Sequence, residues 1–113
     1  IPGSDTLLEA QIERIISQRN ADRLVFGTIH ELAHELGMSS QTLHRRLTDS
    51  ATSYQKIKDN LRRNLAITKL LHEKLSVERV SDAVGFSEPR SFTRAFKHWT
   101  GLTPREYCKQ NLK

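Results

Sequence analysis

Two stretches of the chain carry arginine and small polar side chains along the open side of a predicted helix. One helix is predicted over residues 40–48 and the other over residues 88–97, each with apolar residues along its opposite side. Arginine can bind O6 and N7 of guanine, glutamine can pair with adenine, and threonine can contact the thymine methyl group. We therefore predict contacts with base edges in the DNA major groove, although taken singly most of these side chains are also typical of a solvent-exposed helix.

The predicted DNA contacts form two groups. The positions predicted to read bases are Gln41, Thr42, His44, Arg45, Pro89, Arg90, Thr93 and Arg94. The positions predicted to contact the DNA backbone are Ser39, Ser40, Ser87 and Lys97. Arg45 and Arg94 are the strongest candidates when residue type is taken together with the geometry of the turn that precedes each helix.

A second kind of chemistry is suggested by His30, Glu31 and His34, which match the H-E-x-x-H pattern of zinc proteases. Two histidines one helical turn apart can bind one zinc ion while the glutamate activates a water molecule. The longer form of the pattern needs a third histidine where this chain has Ser40, and the helix is predicted to end at Gly37. Zinc hydrolysis is therefore the weaker alternative, and we predict no enzymatic activity, no metal and no cofactor.

The two arginine-bearing helices belong to a segment that occurs twice. Residues 29–47 and 77–96 each read as a short amphipathic helix, a glycine, an apolar residue, a serine and a second helix. This layout is typical of a helix-turn-helix, whose second helix enters the major groove of DNA. The alternative interpretation is that the two segments are unrelated helical hairpins that resemble each other by chance. The corresponding positions are Ile29, Leu32, Leu36 and Gly37 with Val77, Val80, Val84 and Gly85, and, after one extra residue in the second turn, Leu43 and Leu47 with Phe92 and Phe96.

Helical spacing of apolar residues runs along the whole chain, and no segment alternates as a strand would. Start and stop signals divide the chain into seven helices, so we predict an all-α fold of two helix-turn-helix subdomains joined by a long linker helix. Gly37, Gly85 and Gly101 are predicted to end helices, and Leu24, Val25 and Phe26 to turn inward from a loop. The predicted starts are capping boxes at Thr6–Glu9, Thr28–Glu31, Thr52–Gln55 and Thr103–Glu106, and capping serines at Ser39, Ser76 and Ser87, the last with Glu88 in the first turn.

These elements predict four parts: a cloning remnant or disordered lead-in at residues 1–5, a first subdomain at 6–51, a linker helix at 52–75 and a second subdomain at 76–113. A helix over residues 53–73 would be about 31 Å long at about 1.5 Å per residue. Successive major grooves on one face of B-DNA lie about 34 Å apart. The linker could therefore hold two reading helices near that spacing. Its basic residues, which could contact phosphates, are Lys56, Lys58, Arg62, Arg63 and Lys69.

The net positive charge of the chain also favours nucleic acid as the partner. The chain of 113 residues has 18 lysines and arginines against 13 aspartates and glutamates, a formal net charge of +5. Residues 51–113 hold 13 of the basic and 6 of the acidic side chains. Such a surface favours nucleic acid first and an anionic membrane second, or is simply solvated. With one cysteine, Cys108, and no membrane-length apolar run or signal peptide, we predict a cytoplasmic protein with no membrane partner.

Residues 83–107 resemble, nearly end to end, the signature of the DNA-binding domain of the AraC/XylS family of bacterial transcription regulators. Residues 36–47 resemble the first, more variable copy of its helix-turn-helix, and the resemblance covers about residues 6–110. The sequence around Gly37 and the run Gly85-Phe-Ser-Glu-Pro89 are similar to the corresponding sequences of a subgroup, the ornithine-utilisation and quorum-sensing regulators.

The resemblance implies two helix-turn-helix subdomains on a long helix, binding to double-stranded promoter DNA, and activation by contact with RNA polymerase. It implies the same base-reading positions as the residue types do, although Pro89 stands where many relatives have a polar base reader. Family members usually carry a sensing or dimerisation domain on the N-terminal side, so we expect the chain to be part of a longer regulator. A protein-interaction module that docks through the long helix is the remaining alternative.

Overall fold

A computed structural model describes residues 6–19 and 26–111, and within them the chain is all-helical with no strand. The predicted all-α fold is confirmed there. The seven helices are α1 (Thr6–Arg19), α2 (Ile29–Glu35), α3 (Ser40–Asp49), α4 (Tyr54–Leu71), α5 (Val77–Ala83), α6 (Pro89–Thr100) and α7 (Pro104–Asn111). Residues 1–5, the side chain of Thr6, and Leu24 and Val25 lie outside the described part, so the lead-in, the first capping box and the inward turn of those two residues stay predictions.

Two capping boxes form as predicted and fix the starts of α2 and α7. The amide of Thr28 donates to Glu31 Oε1 at 3.2 Å, and the amide of Glu31 donates to Thr28 Oγ1 at 3.1 Å. The same exchange joins Thr103 and Glu106, at 2.9 and 3.1 Å. Each box satisfies two amides that the helix itself leaves without partners.

The start of α4 differs from the prediction. Its N-cap is Ser53, whose hydroxyl accepts the amide of Lys56 at 3.1 Å, and not Thr52. Thr52 belongs to the end of α3, because its amide donates to the carbonyl of Leu47 at 2.9 Å while Ala51 adopts a φ of 60°. This arrangement is the Schellman motif that closes a helix, so Thr52 is already used when α4 begins.

The start of α6 also differs from the prediction. Glu88 is the N-cap and Pro89 the first helical residue, so Ser87 does not cap the helix and Glu88 does not lie in its first turn. Proline lacks an amide hydrogen and suits the first helical position, and it forces the residue before it into extended backbone. Glu88 accordingly has φ −135° and ψ 135°, and its side chain makes no capping hydrogen bond.

Two hydrophobic clusters form around opposite halves of α4. We call α1–α3 the N-terminal lobe and α5–α7 the C-terminal lobe, because each packs with its own half of α4. Leu65, near the middle of the helix, contacts both clusters. The buried residues of the first cluster are Leu8, Ile12, Ile16, Leu32, Ala33, Leu43, Leu47, Tyr54 and Ile57. Those of the second are Ala66, Leu70, Val80, Val84, Phe92 and Phe96.

The linker is shorter than predicted. α4 has 18 residues, which corresponds to about 27 Å. It ends at Leu71 because the chain turns back there: Lys74 has a φ of 54°, and the amide of Leu75 donates to the carbonyl of Lys69 at 3.1 Å. The molecule is elongated, with extents of 44 × 27 × 21 Å.

Candidate nucleic-acid interface

The two copies of the repeated segment fold into turns of the same construction. Gly37 and Gly85 have φ values of 73° and 92°, a region that favours glycine. The amide of Met38 donates to the carbonyl of Ala33, and the amide of Phe86 to that of Ser81, both at 3.0 Å. In each case the residue after the glycine also packs against the adjacent hydrophobic cluster. The repeat therefore builds the same turn twice.

The turns differ by one residue, as predicted. α3 begins three positions after Gly37, at Ser40, whereas α6 begins four positions after Gly85, at Pro89. Ser39 caps α3 by accepting the amide of Thr42 at 3.1 Å, and its hydroxyl donates to Thr42 Oγ1 at 2.9 Å. The first turn thus ends in a serine cap and the second in a proline start.

The first arginine-bearing helix, α3, buries one side and opens the other. Leu43 and Leu47 are fully buried, while Gln41, His44 and Arg45 are exposed. The remaining candidates are the half-buried Ser40 and Thr42 and the exposed Ser39 at the cap. The structure therefore brings all six predicted positions together at the N-terminal half of α3 and the turn before it.

The second arginine-bearing helix, α6, is built in the same way. Phe92 and Phe96 are fully buried, and Phe92 lies between the rings of Phe86 and Phe96 at centroid distances of 5.8 and 5.7 Å. This packing fixes the rotation of the helix about its axis. The open side then carries Ser87, Pro89, Arg90, Arg94 and Lys97, all exposed, and the half-buried Thr93.

The five basic side chains of α4 that could contact phosphates differ in their surroundings. Arg62 is half-buried, and its Nε donates to the carbonyl of Val84 at 3.2 Å. Lys69 is buried, with Nζ 3.5 Å from Glu73 Oε1. Lys58 Nζ lies 4.8 Å from the centroid of the Tyr54 ring. These three are engaged within the molecule.

Their environment shifts the titration of two of these groups. Burial lowers the pKa of Arg62, against the raising effect of Asp59 and then of Tyr54. Burial, and then the neighbouring charge of Arg62, lower the pKa of Lys58. Of the five basic residues predicted on the linker, Lys56 is exposed and Arg63 half-buried, so these two are the remaining candidates for phosphate contacts.

Sequence reasoning missed that the side chain of Arg62 is engaged inside the molecule, although one signal for this was present. Arg62 lies one helical turn before Ala66 and two turns before the buried Lys69 and Leu70, so helical periodicity places it on the packed side of α4. A basic residue on a packed helix face needs a partner inside the molecule. The partners themselves come from distant parts of the chain and could not be read from spacing.

The residues of the zinc-protease pattern lie on α2, where the glutamate side chain already takes part in a capping hydrogen bond. Glu31 completes the capping box with Thr28, while His30 and His34 are exposed. Within residues 6–19 and 26–111, no group of three or more histidine, cysteine, aspartate or glutamate side chains is placed to hold a metal ion.

None of the helices within residues 6–19 and 26–111 combines the length and the apolar character needed to cross a bilayer.

The fold and the two open helix faces define a class, the helix-turn-helix DNA-binding domains. Residues 32–110 match the family of helix-turn-helix domains. The chain belongs to this family, which is of the AraC/XylS type, as the sequence resemblance implied. Its members are DNA-binding transcription regulators, a class that normally has no enzymatic activity.

The similar proteins are regulators as well. The chain is 41% identical over 75 residues to the HTH-type transcriptional regulator VqsM of Pseudomonas aeruginosa, covering 66% of this chain and 23% of that protein. It is 32% identical over 100 residues to an ornithine utilization regulator of the same species, covering 88% of this chain and 29% of that one. The second agrees with the subgroup expected from the sequence. The chain spans about a quarter of the length of these relatives.

A solved structure with the same fold is the crystal structure of a DNA-binding transcriptional dual regulator from Escherichia coli K-12. It superimposes with a TM-score of 0.81 at 25% identity, covering 91% of this chain and 90% of that chain.

Proposed function

We propose that this chain reads two adjacent major-groove segments of bacterial promoter DNA, one with α3 and one with α6. The observation that carries the proposal is the duplicated geometry: two turns with the same hydrogen bond, each followed by a helix with a buried apolar side and an open side carrying arginine. One such unit is sufficient to enter one groove, and two units on one rod suit two grooves.

Within this proposal the residues divide by role. Gln41, Thr42, His44 and Arg45 on α3, and Pro89, Arg90, Thr93 and Arg94 on α6, face base edges. Ser39, Ser40, Ser87 and Lys97 contact the sugar–phosphate backbone, which positions the protein without reading sequence. In this proposal residues 6–51 and 76–113 form the two reading subdomains, and residues 52–75 form the spacer between them.

The dimensions support two-groove reading. α4 is about 27 Å long, and the described molecule extends 44 Å along its longest axis. Two grooves on one face of B-DNA lie about 34 Å apart. A molecule of this length is long enough to span two successive grooves, one for each recognition helix.

Selection of binding sites from random duplexes tests the proposal. The pool should be longer than two helical turns, and the selection should be run at a fixed salt concentration because affinity depends on salt. We expect enriched sites with two conserved blocks, about 10 base pairs between their centres. Enrichment of a single block, or of no sequence, would contradict two-groove reading.

For the full-length regulator we propose five further properties by analogy with its relatives. It acts in the bacterial cytoplasm, activates transcription through contact with RNA polymerase, and carries a sensing or dimerisation domain N-terminal to this one. It has no enzymatic activity and needs no cofactor to bind DNA. Chelator treatment should leave DNA affinity unchanged, and elemental analysis should find no stoichiometric zinc. Zinc bound one to one and required for DNA binding would overturn the statement on the cofactor, and chelator-sensitive hydrolytic activity would overturn the statement on enzymatic activity.

A further inference from the structure

The guanidinium of Arg62 lies at the junction of the two lobes. Its Cζ is 4.6 Å from the ring centroid of Phe26 and 5.1 Å from that of Phe86. Phe26 packs against the hydrophobic cluster of the N-terminal lobe, and Phe86 against that of the C-terminal lobe. A side chain from the linker is therefore held between one aromatic ring of each lobe.

Both rings lie beside further contacts that hold their segments in place. The hydroxyl of Tyr54 donates to the carbonyl of Gly27, next to Phe26, at 2.8 Å. Phe86 follows the positive-φ turn at Gly85 and contacts the ring of Trp99 at a centroid distance of 6.1 Å. Because neither ring is on a free loop end, a contact to both rings transmits the position of one lobe to the other.

A directed hydrogen bond adds an angular constraint. Arg62 Nε donates to the carbonyl of Val84, the C-cap residue of α5, at 3.2 Å. A helix C-terminus carries partial negative charge and favours a cation there. Since α5 is the first helix of the second helix-turn-helix, this bond restrains the rotation of the C-terminal lobe about the axis of α4.

The chemistry of the site requires arginine. A planar guanidinium can stack on aromatic faces while its N–H groups donate within the plane, whereas a lysine ammonium has no plane to stack. Other helices of the two lobes pack mainly on α4 and within their own lobe. A continuous helix sets the distance between the lobes, but their relative rotation depends on contacts such as this one.

We infer that Arg62 is a positioning residue that fixes the relative orientation of the two helix-turn-helix units and so selects the spacing between the two DNA segments that the domain accepts. The inference rests on the proposed two-groove reading. Arg62 itself is half-buried and engaged, and its role is exerted through α3 and α6 and not by contact with DNA.

The first test needs no DNA. Residual dipolar couplings report whether two lobes share one orientation in solution. We expect one alignment tensor to account for both lobes in the wild-type chain, and tensors of different magnitude in Arg62→Lys. Arg105→Lys is the matched control, because it makes the same change at an exposed arginine of α7 that has no proposed part in DNA binding. A single shared tensor in a folded Arg62→Lys would overturn the inference.

The second test uses a duplex selected by the wild-type chain and a version with one base pair inserted between its two blocks, which rotates one block by about 35°. For the wild type we expect the insertion to weaken binding about tenfold, within the usual range for coupled sites. For Arg62→Lys we expect the ratio to fall to about threefold or less, with Arg105→Lys behaving as wild type. An unchanged tenfold ratio in Arg62→Lys would overturn the inference.

Two further outcomes can be distinguished from a failure of the inference. If Arg62→Lys does not fold, Phe86→Leu removes one face of the stack and takes its place in both tests, with the same expectations. If the wild type is indifferent to the inserted base pair, the two-groove proposal fails, while the dipolar couplings still decide whether Arg62 orients the lobes.

Discussion

At the scale of residues, the proposed reading of bases depends mostly on two arginines. Arg45 and Arg94 are exposed on the sides of α3 and α6 opposite the buried leucines and phenylalanines. Their type and exposure could be predicted from sequence, because helical periodicity assigns each position of an amphipathic helix to an inner or outer side. Which base each one meets depends on the DNA and not on the chain alone.

Replacing either arginine should weaken specific binding. We expect Arg45→Ala and Arg94→Ala each to cost about 1–3 kcal/mol at the selected site and to relax base preference in one block, because a bidentate contact to guanine is lost. Titrations at fixed salt against the selected and scrambled duplexes measure both effects. Arg105→Ala, an exposed arginine on α7, is the charge-matched control and should keep the base preference. A loss equal for all sequences in the two test variants would contradict base reading.

A phosphate contact should have a different signature. We expect Lys97→Ala to weaken binding to all duplexes about equally and to reduce the slope of log affinity against log salt by about 1, because one fewer counterion is released. The exposed Lys109 on α7 provides the comparison, since Lys109→Ala should leave the slope unchanged. An unchanged slope in Lys97→Ala would place that residue away from the backbone.

At the scale of elements, sequence patterns identified all seven helices in the described part of the chain but misplaced two of their starts. The errors at Thr52 and Ser87 have one cause: two local patterns competed for the same residues. A Schellman motif at the end of α3 uses Thr52, and Pro89 sets the start of α6. Where a single pattern was present, as at Thr28 and Thr103, the predicted capping box is confirmed.

The turns should respond to backbone substitutions with opposite signs. Gly37 has a φ of 73° and no neighbouring atom within 4 Å of an added Cβ, so Gly37→Ala should destabilise the fold by about 1–2 kcal/mol through backbone strain alone. Ala51 already carries that strain at φ 60°, so Ala51→Gly should stabilise by up to about 1 kcal/mol. Urea denaturation measures both changes. Equal signs for the two variants would contradict this account of the turns.

The cap of α7 should depend on pH. Hydrogen bonds from the backbone amide and then the side chain of Thr103 hold the pKa of Glu106 below its ordinary value. A lowered pKa means that the cap stabilises the helix above the ordinary glutamate range and is lost as pH falls through the lower folded value. We expect the first turn of α7 to fray in that acidic window, seen by NMR as a shift of the Thr103 amide.

The control for this titration is Glu106→Gln, in which the Thr103 amide should lose its acidic transition. A midpoint in the wild type equal to that of a glutamate in an unstructured peptide would show that the cap does not act on the carboxyl group.

At the scale of the whole molecule, the account depends on two lobes held on one helix. The hydrophobic clusters at either end of α4 could be predicted from apolar spacing, because each helix shows which side it buries. The junction could not be predicted, because Phe26, Arg62 and Phe86 meet only when the chain folds. The sequence thus indicated the two helices that are proposed to read bases, whereas their relative orientation depends on contacts between distant segments.

The most direct test of two-groove reading is methylation interference at guanine N7 on the selected duplex, with the wild-type chain, Arg45→Ala and Arg94→Ala. We predict two blocks of guanines whose methylation interferes with binding, on one face of the duplex and about 10 base pairs apart between their centres. Each substitution should remove the interference in a different block. A single block, or the loss of the same block with both substitutions, would show that the two helices do not read neighbouring grooves together.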